Sequence, residues 1–197
     1  MSISNTPACD DCVTVAISGT DELGEGPHWS AKEQRLYWVD IVNPALQSVT
    51  IGPTGTPDVA TQHRHPLGEM TGVVVPAQAG GFMAASESGI VMLDAQMNAS
   101  SIATPESNLP DNRFNDGKCD SRGRLWASSL SMKGENGQAS LWRIDPDHTV
   151  TQVLDGIDIG NGLGWNEDES IFYFTDSGKA TIYRFDFDIK AGTLSNK

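Results

Sequence analysis

The sequence is poor in basic side chains and has no long apolar run. Of its 197 residues, 13 are Lys or Arg and 26 are Asp or Glu, which gives a net charge of −13. A charge of this sign repels phosphate backbones and anionic lipids, so we predict no nucleic-acid partner and no membrane surface as a partner. The N-terminus lacks a basic, apolar leader, and no stretch approaches the ~18 apolar residues of a membrane span. These absences predict a cytoplasmic protein.

Cysteine is also scarce. Three cysteines in a chain of this length exclude a disulfide framework, and their odd number is typical of a reducing compartment. Cys9 and Cys12 form a CxxC pair, but tetrahedral zinc needs four ligands and no second pair lies nearby. We therefore interpret that spacing as chance. Cys119 lies in a strand-like segment, where a buried thiol that fills core volume is favoured over a nucleophile.

Helical periodicity is nearly absent, and short β-rich runs take its place. These runs alternate with turn-forming clusters such as NPA, GPTGTP, QAGG, DSRGR and NEDES. The alternation predicts an all-β fold. The β-rich runs are LYWVDI, GFMAAS, RLWASS, SLWRI, SIFYFTD and TIYRFDFD.

An internal repeat indicates the architecture. Gly26, Gly72, Gly117 and Gly162 are separated by 46, 45 and 45 residues, and we expect each to open a short strand. A second β-rich run follows each glycine by about 10 residues. A period of roughly 40 to 50 residues with four short strands is typical of a β-propeller blade. We therefore predict a single propeller domain over residues 1–197.

The residues that precede the repeated glycines should surround the propeller axis. They are Glu25, Thr71, Asp116 and Asn161. Three of the four carry carboxylate or amide oxygens, which hard divalent cations prefer as ligands. The alternative is that Asp and Asn before glycine are turn formers that bond their own backbone. The recurrence of oxygen donors at one repeat position favours a metal or polar-ligand site on the axis, with Thr71 beside it as a non-ligand.

Three stretches resemble the senescence marker protein, gluconolactonase and regucalcin family, which includes luciferin-regenerating enzymes. They are LGEGPHWSAKEQRLYWVDI, RFNDGKCDSRGRLWASSL and GNGLGWNEDESIFYFTDSGKATIYRFDFD. The resemblance implies a six-bladed propeller, whereas 197 residues at about 45 per blade supply about four blades. We therefore expect an incomplete propeller. In it, an N-terminal strand near residues 13–18 would lack its partner.

The resemblance also implies one divalent metal ion, Ca²⁺, Zn²⁺, Mn²⁺ or Mg²⁺, bound by a Glu, an Asn and an Asp. The Glu corresponds to Glu25 and the Asn to Asn161, while the Asp is expected beyond Lys197. The catalytic residue is therefore left unassigned. Substrate contacts fall on Arg113 and Asn115, and the neighbouring Asp116 is a further water or substrate contact.

For two of these residues a structural role competes with substrate binding. Arg113 could form a surface ion pair with Asp111, and Asn115 could stabilise a turn. Family members carry acidic residues after the RLWASSL strand, whereas Ser131 to Gly134 intervene here before Glu135. This departure suggests a different substrate preference.

The function implied is metal-dependent hydrolysis of a sugar lactone in carbohydrate metabolism, impaired in an incomplete chain. Two alternatives stay open: hydrolysis of organophosphates or aryl esters on the same scaffold, and calcium binding or protein interaction without catalysis. The oligomeric state is not predicted. His63 and His65 have the spacing of a metal pair, although a solvated loop is favoured for them. The tryptophans are predicted to pack between blades.

Overall fold

A computed structural model describes residues 15–19 and 21–197, and all of its regular elements are β-strands. The strands form four antiparallel sheets of four, each built from consecutive strands. The sheets are blade 1, with β1 (Gly24–Ser30), β2 (Arg35–Asp40), β3 (Ala45–Ile51) and β4 (Pro57–Pro66); blade 2, with β5 (Thr71–Pro76), β6 (Phe82–Ser86), β7 (Gly89–Leu93) and β8 (Ala99–Ala103); blade 3, with β9 (Asn112–Cys119), β10 (Leu125–Ser131), β11 (Ala139–Ile144) and β12 (Val150–Ile157); and blade 4, with β13 (Gly160–Trp165), β14 (Ile171–Asp176), β15 (Thr181–Asp188) and β16 (Thr193–Ser195).

The first strand of each blade lies innermost. Contacts link β1 to β5, β5 to β9 and β9 to β13, and β1 also contacts β9 although β5 lies between them in sequence. First strands that meet around a common axis are the defining feature of a propeller. The prediction of an all-β propeller with about four blades is therefore confirmed.

A β-bulge interrupts every inner strand near the repeated glycine. The pairing register shifts after Glu25 in β1, after Thr71 in β5, beside Asn115 in β9 and after Asn161 in β13. A bulge leaves one or more residues unpaired and bends the strand, which re-aims the side chains around it. The repeat found in the sequence therefore marks the point where each inner strand bends.

Glycine is required where the inner strands crowd together. A side chain at position 72 would place its Cβ 2.6 Å from the carbonyl oxygens of both Phe114 and Asn115. At position 26 the backbone has a φ of +58°, and a Cβ would lie 3.1 Å from the carbonyl oxygen of Gly72. Blades 1, 2 and 3 thus approach one another backbone to backbone at the axis.

Three apolar cores hold adjacent blades together, one at each junction. The junctions between blades 1 and 2 and between blades 2 and 3 are mainly aliphatic, with Val39, Leu46 and Ile90 among their buried members. The junction between blades 3 and 4 is aromatic: Trp126 and Phe172 are fully buried, with ring centroids 5.2 Å apart. Inter-blade packing is therefore the role of Trp126, as predicted, while Trp29 is 44% exposed.

Some predictions about the chain's organisation need correction. Gly117 does not open its strand, because β9 begins five residues earlier, where Asn112 to Phe114 pair with the end of β10. Residues 15–18, where an N-terminal strand without its partner was expected, are not in strand conformation. Cys9 and Cys12 lie outside the described residues. Within the part of the chain that is described, no helix is long and apolar enough to cross a bilayer.

Candidate functional site at the propeller axis

Two of the pre-glycine side chains share one local geometry. The Oδ1 atom of Asp116 accepts a hydrogen bond of 2.7 Å from the N–H of Gly117, and Oδ1 of Asn161 accepts one of 2.9 Å from Gly162. The turn-forming alternative considered for these residues is thus partly correct, because each bonds its own backbone. The N–H of Gly162, on the inner strand of blade 4, also acts on the Asp116 carboxylate as a hydrogen-bond donor.

Thr71 and Glu25 occupy the corresponding positions of the other blades with different chemistry. Thr71 is buried and donates its hydroxyl to the carbonyl oxygen of Glu69 over 3.1 Å, so it stays a structural residue. Glu25 is exposed, and no described residue donates a hydrogen bond to its carboxylate. Of the four positions, Glu25 therefore offers the most accessible oxygen ligand.

Electrostatic interactions link Glu25, Asp116 and the inner strand of blade 4. Burial raises the pKa of Asp116, the charge of Glu25 raises it further, and the N–H groups of Gly117 and Gly162 oppose both effects. Two carboxylates from blades 1 and 3 thus repel each other beside the strand that carries Asn161. This is the arrangement expected of an axial cation site. The assignment of Glu25 and Asn161 as the metal ligands stays a prediction.

Arg113 lies beside these carboxylates at the start of β9. Its Nη1 donates to the Phe114 carbonyl oxygen over 3.0 Å and to Asn115 Oδ1 over 2.9 Å. Burial lowers the pKa of the Arg113 guanidinium, whereas the charges of Glu25 and Glu87 raise it. Of the five donors on an arginine, those on Nε and Nη2 have no acceptor among the described residues. Arg113 is therefore fixed in place and still has donors to offer a ligand.

Asn115 links two blades and orients Arg113. Besides accepting from Arg113, it donates from Nδ2 to the carbonyl oxygen of Gly160 over 2.9 Å, across the junction of blades 3 and 4. A turn-stabilising bond is therefore not its role. One lone pair of the Asn115 amide oxygen and one of its two amide hydrogens are already engaged. Asn115 therefore keeps one lone pair and one amide hydrogen for a substrate.

The ion pair considered for Arg113 goes to another residue. Asp111 pairs with Lys133 at 2.7 Å, because the turn after β10 returns to the start of β9, where the Met132 N–H donates to the Asp111 carbonyl oxygen. Lys133 thus lies in the turn after β10, where the family resemblance leads us to expect acidic residues. The structural alternative for Arg113 is wrong in this form, and its guanidinium stays available.

Other predicted candidates lie apart from the axis. Cys119 is half-buried, and burial followed by the charge of Asp120 raises the pKa of its thiol to about 11, as expected of an unreactive cysteine. His63 and His65 are exposed on β4, with ring centroids 6.0 Å apart. Their assignment to a loop was wrong, because this segment pairs with β3.

Two residues near the axis were missed by sequence reasoning. Glu87 lies in the turn between β6 and β7, outside every motif, and only its place beside Arg113 gives it interest. Lys118 lies near His28, and burial together with the Lys118 charge lowers the pKa of that imidazole. His28 and Lys118 are separated by 90 positions in the sequence, so no local pattern could indicate that they are neighbours.

The described residues contain no group of three or more His, Cys, Asp or Glu side chains placed to hold a metal ion. The oxygen donors near the axis are two carboxylates, from Glu25 and Asp116, and the amide oxygen of Asn161. All three are hard ligands, and the charge of Glu25 raises the pKa of Asp116, so a cation beside the two carboxylates would be favoured. These residues have the chemistry that a hard divalent cation requires, and they form part of a ligand set.

The family model for the SMP-30/gluconolactonase/LRE-like region matches residues 23–197. The chain belongs to the SMP-30/gluconolactonase/LRE-like family. The match spans all four blades, so the resemblance noted in three sequence stretches extends over the whole described propeller.

Relatives of this family member include regucalcin of Danio rerio, 34% identical over 187 residues, with 94% of this chain and 61% of the relative covered. Pentonolactonase XacC of Haloferax volcanii is 33% identical over 187 residues, which cover 93% of this chain and 60% of the relative. The crystal structure of regucalcin from Agrobacterium tumefaciens, a calcium-binding protein, superposes with a TM-score of 0.79 at 27% identity, over 89% of this chain and 57% of that one. This chain thus spans about three fifths of each relative.

Proposed function

We propose that the protein is a metal-dependent hydrolase of sugar lactones. The observation that carries the proposal is the grouping of Glu25, Asp116 and Arg113 at the inner strands, where the charge of Glu25 acts on both other side chains and Arg113 has unused donors. The pentonolactonase among the relatives supports the same class of substrate. The residues proposed to hold the metal are Glu25 and Asn161.

Each side chain has a distinct part in this proposal. A divalent cation, when bound, supplies Lewis acidity toward the lactone carbonyl and acidifies a water molecule. Arg113 directs its free Nε and Nη2 donors at lactone oxygens, and Asn115 holds the guanidinium in that orientation. The Asp116 carboxylate accepts a proton from the attacking water, a role suited to a carboxyl group whose pKa is raised.

These 197 residues alone are inferred to be a weak catalyst. They supply two of the three protein ligands that the resemblance implies, and the absence of the third, an aspartate, removes both a ligand and a compensating charge. Geometry adds to the loss, since catalytic rates fall steeply with displacements on the order of 1 Å.

A second candidate function is calcium binding without catalysis. It is favoured by the name of the structural neighbour, a calcium-binding protein, and by the all-oxygen donor set at the axis. The proposed experiment separates this function from hydrolysis because it measures binding and turnover on the same samples.

The test compares this chain with the same chain extended by the remaining part of the Danio rerio regucalcin. Thermal unfolding is followed with and without Ca²⁺, Zn²⁺, Mn²⁺ or Mg²⁺, and gluconolactone hydrolysis is followed by proton release. We expect metal-dependent hydrolysis in the extended protein, much slower hydrolysis in the short one, and loss of both metal responses in Glu25→Gln.

The matched control is Glu22→Gln, because Glu22 is exposed three residues away and bonds Asn43. Stabilisation by Ca²⁺ without hydrolysis in the extended protein would favour the calcium-binding function. Equal hydrolysis in both lengths would overturn the inference of a weak short form. A metal response that survives Glu25→Gln would overturn the assignment of the site.

A further inference from the structure

A small cavity opens between blades 2 and 3 beside Arg113. Its volume is about 140 Å³, well above the ~10–15 Å³ that a single water molecule needs. Leu109, Pro110 and Phe114 give it an apolar side, while Glu87 and Arg113 line it with opposite charges. The cavity therefore combines an apolar wall with one donor group and one acceptor group.

The carboxylates around this cavity differ in how they are used. Glu106 accepts hydrogen bonds from Ser129, Trp142 and Asn112, at 2.7, 2.7 and 2.8 Å. Glu69, which lines a neighbouring cavity, accepts from the hydroxyls of Ser86 and Ser88 and from the Ser88 N–H. These two carboxylates are saturated by protein donors and serve to fasten loops.

Glu87 is the exception among them. Its side chain is exposed, and no described residue donates a hydrogen bond to it. Its charge acts on Arg113, yet the two side chains form no ion pair. A space therefore separates an unused acceptor on Glu87 from unused donors on Arg113.

We infer that Glu87 and Arg113 form a subsite for the neutral hydroxylated tail of the ligand. A hydroxyl group is both donor and acceptor, so one hydroxyl can donate to Glu87 and accept from Arg113. The apolar wall packs against the C–H faces of the same tail. A carboxylate tail is disfavoured, because it can accept from Arg113 but meets the like charge of Glu87.

The inference rests on the proposed function for the nature of the ligand, but its test does not need hydrolysis. The probes are D-glucitol and D-gluconate, which differ in a terminal hydroxymethyl against a carboxylate and contain no lactone to open. Binding of each to the chain is measured by ligand-observed NMR in the presence of a metal chelator. We expect D-glucitol to bind more tightly than D-gluconate.

Glu87→Gln keeps the shape of the side chain and removes its charge. We expect the ratio of the two dissociation constants, gluconate over glucitol, to fall by about tenfold, the difference between a charge-assisted and a neutral hydrogen bond. Folding is not at risk, because the Glu87 contact with the rest of blade 2 is its N–H bond to the Met70 carbonyl oxygen.

The control is Glu135→Gln, which removes one negative charge from the exposed turn after β10 without touching the cavity. Its ratio should match that of the unchanged chain. An unchanged ratio in Glu87→Gln, an equal fall in the control, or no binding of glucitol would overturn the inference. If the extended protein fails to hydrolyse lactones while the ratio still falls, the subsite stands and the proposed function fails.

Discussion

The junction of blades 3 and 4 and the axial site use the same functional group in opposite ways. At the junction, Asp120 is 5% exposed and accepts from the Arg122 and Arg124 N–H groups, from Arg124 Nε at 2.6 Å and from Trp126 Nε1 at 3.0 Å. At the axis, Glu25 accepts from no described residue. A carboxylate with every lone pair engaged fixes a fold, whereas one held at a site without protein donors is available to a ligand.

The largest loss of unfolding free energy is expected from removal of the Asp120 carboxylate. Asp120→Ala leaves the Arg124 side chain, 7% exposed, as an unpaired buried charge and removes the acceptor of Trp126. Loss of one partner of a buried ion pair costs about 3–5 kcal/mol of unfolding free energy. Urea denaturation followed by tryptophan fluorescence measures this loss. The control, Asp111→Ala, breaks the exposed pair with Lys133 and should leave the midpoint nearly unchanged; similar losses in both would contradict the comparison.

An intermediate effect is expected at Asn115, which joins the two regions. Asn115→Ala deprives the Gly160 carbonyl oxygen and Arg113 of their partner, and one such hydrogen bond is worth about 1–2 kcal/mol. The urea midpoint should fall accordingly. Asn98→Ala is the matched control, since Asn98 bonds Asp94 in an exposed turn. If both variants unfold at the same midpoint, the link between blades 3 and 4 contributes nothing.

The smallest effect should be a gain in stability at Asp116, measured with a metal chelator present. Burial raises the pKa of the folded Asp116 carboxyl above that of an unfolded aspartate, about 3.9. The folded chain therefore holds this proton more tightly, and the contribution of Asp116 to stability falls as the pH rises between the unfolded and folded pKa values.

Asp116→Asn should accordingly be more stable than the unchanged chain at neutral pH, with the advantage fading as the pH falls below the unfolded pKa. Urea midpoints across the pH range measure it. Asp155→Asn, an exposed change in β12, should show no such trend. A loss of stability in Asp116→Asn at neutral pH would mean that its carboxylate is satisfied, contrary to the comparison.

Much of the fold could be predicted from local sequence. Alternating β-rich runs and turn clusters located the second strands, β2, β6, β10 and β14, to within a residue or two. The glycine period located the inner strands, because a close approach such as that of Gly72 to Asn115 tolerates no Cβ. Strand starts were less predictable: β9 extends back to Asn112 only because β10 offers partners that no local pattern reveals.

For the axial site, the sequence predicts residue types but does not indicate their connections. Equivalent repeat positions indicated Glu25, Asp116 and Asn161 as neighbours of the axis. Their partners come from other blades, and a periodic pattern contains no information about which loop side chain reaches them. Glu87 was missed for this reason, and Lys133 was not considered as the partner of Asp111, for which Arg113 was the alternative.

The sequence by itself determined the all-β class, the blade period and the family, since these depend on side-chain alternation and glycine spacing along the chain. Only the tertiary structure decided which charged groups are satisfied and which are free. Asp120 and Glu25 are indistinguishable as carboxylates in a sequence. Their difference arises because hydrogen-bond donors from distant residues converge on Asp120 and are absent around Glu25 in the described part of the chain.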